Sequence, residues 1–529
     1  MRALALALAL ASSAGAKDPD DRALRQEFEE AQAKLEAWDL PAARKIAEDL
    51  VARFGRDAVT DEILGRVRFY EGDYAGAVAL LEGSPSEFSK LAAASLAEVK
   101  GCETRESSHF ILRFPKGKDE ILAPYALETL EKAYAAIGAD LGFFPPEKVR
   151  VEILRDPAAL ARMSPLTEKE IHDSGTIALC KYNKLMVTSP RALVTGYAWQ
   201  DTLAHEFTHY LITRRSDNSV PIWLHEGIAK FEESRWRGDA GQALSPAAGA
   251  LLARRLRENR LITFAQMHPS MALLPTQEDA TLAFAEVFTA IEFLYREHGG
   301  PKALVGLLDR LRGGEEDTQA VAEVAGEPFA AFQSDWKAYL RRRPSPRELL
   351  PLIGERLRFK EDAQGHSTVA PPRKPGARPE PDYGELGEIT DPAARRSAHL
   401  GELLRARGRT PASIYEYAKA EARVGARSPA LSNKYAVALL ELGHPERAEQ
   451  LLRASLSPFP GIAATHLHLA RALLAQKRWA KAREELLRAN AVDPFDPELH
   501  VALLRADKEL GDAAASRIEA RAVKLLDGG

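Results

Sequence analysis

Cysteine is nearly absent from this 529-residue chain, which carries only Cys102 and Cys180. Two thiols exclude a disulfide-stapled scaffold, and without a C-x-x-C spacing no thiolate metal site is expected. The pair can bridge in an oxidising compartment or remain two separate thiols. Long apolar runs are also missing. No stretch after the N-terminus approaches the roughly 20 residues that span a bilayer, so no stable membrane span is expected. Nor is there an excess of positive charge: the formal net charge of −4 speaks against nucleic acid as a partner.

At this length two to four domains are expected, with ample chain for an enzyme. Met1-Arg2, the Ala/Leu run Ala3 to Ala11 and the small residues Ser12 to Ala16 have the charge, apolar core and A-x-A end of a secretory signal. Cleavage after Ala16 and a periplasmic or secreted protein are the expectation.

A 34-residue period marks both ends. Ala436, Leu440, Gly443, Ala448 and Pro460 recur as Ala470, Leu474, Lys477, Ala482 and Pro494, and a third step reaches Leu504, Lys508, Gly511 and Ser516. Near the N-terminus Asp39, Leu40, Ala43 and Ile46 map in the same way onto Asp73, Tyr74, Ala77 and Leu80. Such a period, with small residues where helices cross, is that of stacked helical hairpins and resembles tetratricopeptide repeats.

Between the flanks, β-branched and aromatic runs predict strands at His109–Phe114, Val149–Leu154, Thr176–Leu179 and Leu185–Thr188, with a helix over Asp119–Leu141. From Asp201 nearly everything reads as helical. Pro344 to Asp382, including Pro371–Pro375, reads as an extended linker. The expected order is a signal (1–16), N-terminal repeat-like helices (17–101), a catalytic domain (102–343), a Pro-rich linker (344–390) and C-terminal repeats (391–529).

The segment with most chemistry is His205-Glu206-Phe207-Thr208-His209. Residues four apart on a helix differ by only about 40° around the axis, so both imidazoles reach one ion from adjacent turns. Glu206 lies beside them, while Leu203, Phe207, Tyr210 and Leu211 supply a face to bury. A catalytic zinc needs a third protein ligand and an open fourth position. Glu226, at the start of a second helix that returns after a short loop, is the candidate. His225 points about 100° away from it and reads as a surface residue, or one behind the ligands, and not as a ligand. Asp201 reads first as an N-cap, with orientation of His205 as its alternative role.

These motifs, with Pro221-Ile222-Trp223-Leu224-His225-Glu226-Gly227-Ile228-Ala229, resemble the gluzincin metallopeptidases, and more closely the peptidase-MA-like domains of bacterial tetratricopeptide proteins. Weaker likeness runs from about Ser108 to Leu340. The resemblance implies an α+β zincin-like domain of mixed sheet and helical lobe, flanked by all-α repeats. It also implies Zn2+ held by His205, His209 and Glu226, a peptide or protein substrate, and Glu206 as the general base for water attack on a peptide bond. Related domains often carry a Tyr where Phe284 stands; if that Tyr steadies the oxyanion, this protein either lacks the group or uses His172, Tyr182 or Tyr197 in its place. Leu185–Thr188 is the expected edge strand for an extended substrate, and the repeats are expected to recruit substrates or protein partners. The alternative is a non-catalytic repeat scaffold with a vestigial or structural zinc site.

Overall fold

The computed structural model describes residues 19–238, 244–271, 274–344, 357–362, 364–367 and 383–527. The expected signal (1–16) and the Pro371–Pro375 run lie outside the described residues. Five helices come first: α1 (Pro19–Glu36), α2 (Leu40–Phe54), α3 (Ala58–Tyr70), α4 (Tyr74–Leu80) and α5 (Glu87–Val99). Their period has a local cause. Asp39 and Asp73 cap α2 and α4 by accepting the Ala42 and Gly76 N–H groups. The residue before each cap, Trp38 or Gly72, turns the chain with φ of 58° and 77°. Ala43 and Ala77 are fully buried, as close helix crossings require.

A five-stranded mixed sheet follows, formed by β1 (Cys102–Glu106), β2 (Phe110–Pro115), β3 (Val149–Leu154), β4 (Ala178–Lys181) and β5 (Lys184–Thr188) in the order β1-β2-β3-β5-β4. The inner three strands are parallel, and β1 and β4 are antiparallel edges. This corrects the expected edge strand: Leu185–Thr188 lies inside the sheet, and β4 is the edge. Leu185, Met186 and Val187 are all buried, as in a strand covered on both faces. The turn Tyr182-Asn183, with φ of 56° and 57°, folds β4 back along the outer side of β5. Strand β1 was not expected, because Cys-Glu-Thr-Arg-Glu has no apolar alternation and pairs on one side only.

Helix α6 (Leu122–Leu141), α7 (Pro157–Met163) and α8 (Glu168–Ser174) accompany the sheet. The helical lobe comprises α9 (Trp199–Ser216), α10 (Ile222–Glu232), α11 (Pro246–Arg257), α12 (Gln277–Glu297), α13 (Pro301–Arg312), α14 (Asp317–Ala325) and α15 (Phe329–Arg342). The stretch expected as an extended linker is partly built in. Val194 N–H donates to the Arg358 carbonyl at 2.8 Å, and the 3₁₀ turn Gly384–Glu388 buries Leu386 in the repeat core.

Four helical hairpins end the chain: α16 (Pro392–Ala406) with α17 (Thr410–Val424), α18 (Pro429–Glu441) with α19 (Pro445–Leu456), α20 (Ala463–Ala475) with α21 (Trp479–Asn490), and α22 (Pro497–Leu510) with α23 (Ala513–Asp527). Gly443, Lys477 and Gly511, each 34 residues apart, turn these hairpins at φ of 76°, 57° and 76°. Ala436, Ala448, Ala470 and Ala482 are fully buried between helices. The last helix does not belong to the repeat core alone, because Ala522 and Leu526 are buried in the core of the central region. Among the described residues no helix is long and apolar enough to cross a membrane.

Candidate metal centre

Helix α9 is buried on nearly every side. Phe207 packs edge-on against Phe110 of β2, and Tyr210 lies 5.4 Å from the Trp38 ring of the N-terminal hairpins. Asp217, at φ 52°, ends the helix, and the chain returns into α10 after Pro221. Gly227 lets α10 approach α12 closely, since a Cβ there would meet Ile291 Cγ1 at 2.8 Å and the Val287 carbonyl oxygen at 3.1 Å. Glu226 precedes Gly227 on this helix, which packs against both α12 and α9.

Three atoms converge as a result. Glu226 Oε2 lies 3.5 Å from His205 Nε2 and 3.7 Å from His209 Nε2. Ligand atoms on a tetrahedral zinc, with bonds of 2.0–2.1 Å, stand about 3.4 Å apart, so this spacing fits one ion. His205, Glu206 and His209 also have ligand atoms within 4.8 Å of one another.

The electrostatics favour a cation. Burial would lower the His205 pKa, but Glu226 and Glu233 outweigh it and raise it to about 10. Burial would likewise raise Glu226, yet His209 and His205 hold it at about 2. The carboxylates that bind an imidazolium proton so tightly would equally stabilise a divalent ion. Glu206 behaves differently: burial raises its pKa to about 7, against the pull of His205 and the Cys180 N–H.

Two residues behind the histidines complete the centre. Glu233 Oε2 is 3.3 Å from His205 Nδ1, and His225 Nδ1 is 2.6 Å from His209 Nδ1. A carboxylate beside Nδ1 favours the His205 tautomer that keeps its proton there and leaves Nε2 open, while His225 abuts the Nδ1 side of His209. His225 thus stands behind a ligand, one of the two places expected for it. Glu233 was not singled out in the sequence, although it follows Glu226 by seven residues, two turns along the same face.

The central region matches a known family over residues 130–342. It is a Peptidase MA superfamily domain. Residues 439–506 match tetratricopeptide repeats. No curated protein matches the chain. Among solved structures, yeast LTA4 hydrolase in complex with bestatin is 13% identical, with 80% of this chain and 67% of that chain covered at a TM-score of 0.30. MamA from Desulfovibrio magneticus RS-1 is 18% identical over 27% of this chain and 80% of its own, at a TM-score of 0.24. The Cut9–Hcn1 structure is 11% identical over 96% and 79%, at 0.27.

Within the Peptidase MA domain, several expected residues do not join the centre. Asp201 is neither the cap, which falls at Ala198, nor a partner of His205; it accepts the Trp236 indole N–H at 2.9 Å and pairs with Arg237. His172 packs edge-on against Phe359. Tyr182 sits in an aromatic cluster with Phe69, Tyr70 and Phe88. The Tyr197 hydroxyl is spent on the Thr188 carbonyl. Phe284 does line the cleft shared with His205, His209 and Glu226. Cys102 and Cys180 are both free thiols, so the disulfide alternative falls away.

Proposed function

We propose that the protein is an exported zinc-dependent metallopeptidase of gluzincin type, with a zincin-like catalytic domain. The convergence of His205 Nε2, His209 Nε2 and Glu226 Oε2 at 3.5–3.7 Å carries this reading. A zinc ion held there would supply a Lewis acid that activates water and polarises a peptide carbonyl. Glu206, buried beside the two histidines, is the residue that would take a proton from the attacking water and hand it to the leaving amine. Glu233 and His225 hold the two ligand rings in place.

Strand β4 is positioned to align the substrate. Lys181 and Lys184 flank a two-residue turn, and Thr188 N–H donates to the Ile177 carbonyl at 2.7 Å. The alternation then points the backbone groups of Ala178 and Cys180 away from β5, toward the cleft, where the Cys180 N–H already meets Glu206 and the Ala178 groups and the Cys180 carbonyl face outward. An extended peptide pairing there would lie along the cleft beside Glu206.

Zinc content of the full chain and cleavage of an unfolded protein, with and without chelator, test this. Expected are about one zinc per chain, its loss in Glu226→Ala, and chelator-sensitive cleavage. In Glu206→Gln, zinc should stay while turnover falls by at least about 10²-fold. A Glu206→Gln protein that still cleaves would remove the general-base role. Zinc without cleavage would favour the scaffold reading, which Phe284 in the cleft supports because it offers no hydroxyl.

A further inference from the structure

The C-terminal repeats are fixed against the Peptidase MA domain rather than tethered beside it. Tyr197 N–H donates to the Val492 carbonyl at 3.0 Å, and the Trp199 indole N–H to the Asn490 carbonyl at 2.8 Å. Tyr125 bonds to Glu519, and Arg521 pairs with Glu120. At Gly196, φ +66°, a Cβ would stand 2.2 Å from the Val492 carbonyl oxygen, so the two backbones touch.

One cavity of about 3840 Å³ runs between them, lined by His205, Glu206, His209 and Glu226 on one side and by the repeats on the other. The repeats line it with the turns that link one hairpin to the next, at 427–430, 456–464 and 491–493. Its volume is several times the roughly 300–1,000 Å³ of a small-molecule pocket. It is also far below the size of a folded domain, whose radius of gyration is about 13 Å for 100 residues. An extended chain segment fits between these limits. Among the described residues, seventeen carboxylates line the cavity against ten lysine and arginine side chains, a local balance of −7. The occupant favoured by this field carries positive charge.

We propose that the repeat side of this cavity, from the 3₁₀ turn that ends at Glu388, through the inter-repeat turns, to Ile518 of α23, is the second wall of the active-site cleft, and that it selects extended, net-cationic polypeptide segments as substrate. This rests on the peptidase reading above. Lys- or Arg-bearing side chains of a segment aligned along β4 would face Glu388 and the other carboxylates of the repeat wall, and its apolar side chains would meet Ile518, an exposed residue of that wall.

Binding of labelled unfolded peptides to the full-length Glu206→Gln protein, followed by fluorescence anisotropy, tests the wall without turnover. A Lys-rich peptide should bind at least about tenfold more tightly than a Glu-rich one of equal length at low salt, with the gap closing as salt rises. Glu388→Lys and Ile518→Arg should each weaken the Lys-rich peptide by about five- to tenfold. Glu446→Lys, the same charge change outside the cavity, should leave it alone. Equal binding of the two peptides, or equal effects of Glu388→Lys and Glu446→Lys, would overturn the proposal. Wild-type protein that binds in this way yet cleaves neither peptide would instead count against the peptidase reading.

Discussion

Trp199 donates its indole N–H to the main-chain carbonyl of Asn490 across 2.8 Å, although 291 residues separate them. Trp199 opens the helix that carries His205 and His209, and Asn490 closes a helix of the C-terminal repeats. The helix of the histidine pair and the repeats therefore share one fixed joint. Replacing Trp199 with Phe keeps the ring packing but strands a buried carbonyl, at a cost of about 1–3 kcal/mol. Hydrogen exchange should rise across 486–493 in Trp199→Phe. Unchanged protection there would show that the joint is not energetically significant.

Glu233 gives the centre a dependence beyond its ligands. With His205 Nδ1 at 3.3 Å from its carboxylate, Glu233→Ala frees the ring to rotate and removes a negative charge behind the metal. Zinc affinity measured by chelator competition should fall about 10–100-fold. Glu233→Gln should recover part of the loss, since it can still hold the ring in place.

Gly227 separates helix propensity from packing. In an open helix Gly→Ala gains about 1 kcal/mol. Here the added methyl would press on Ile291 Cγ1 at 2.8 Å and on a backbone oxygen at 3.1 Å. Overpacking of this kind costs about 1–3 kcal/mol, so the clash wins. Gly227→Ala should lower the urea midpoint and weaken zinc binding, because Glu226 moves with α10. A variant more stable than wild type would refute the close contact.

Glu286 supplies a pH signature. Burial raises its carboxyl to about 8, against the Ile262 N–H that it accepts. The unfolded chain releases that proton near the ordinary value of 4.5. Between these values the folded state binds the extra proton, so stability falls as pH rises, by up to about 1.4 kcal/mol per unit. Glu286→Gln keeps the acceptor and removes the titration. Urea midpoints followed across this window should decline less steeply with pH in the variant than in wild type, and parallel curves would refute the assignment.

Much of this architecture was legible in the residue order because its signals are local. The spacing of His205 and His209 needs only helix geometry to bring two imidazoles together. The 34-residue step needs only a capped turn and a small residue at each crossing, as Asp39 and Asp73 or Ala436 and Ala470 show. Strand positions were legible wherever apolar residues ran together, but not at β1, where an edge strand pairs without burying a face.

Tertiary contacts decided the rest. Which strand forms the edge depended on the Tyr182-Asn183 turn laying β4 outside β5, since both runs are apolar enough for either place. The free hydroxyl expected of Tyr197 was taken by a neighbouring strand, and Asp201 was drawn to Trp236 and Arg237 rather than to His205. Glu233 reached His205 because α10 packs against α9 after the turn at Asp217, which brings the end of α10 beside the ring. By itself the sequence determined which side chains could bind a metal and which segments repeat, because periodicity and helix spacing act within a few turns. Only the folded chain decided what stands behind His205 and His209 and that the repeats line the same cleft, because those contacts join residues up to hundreds of positions apart.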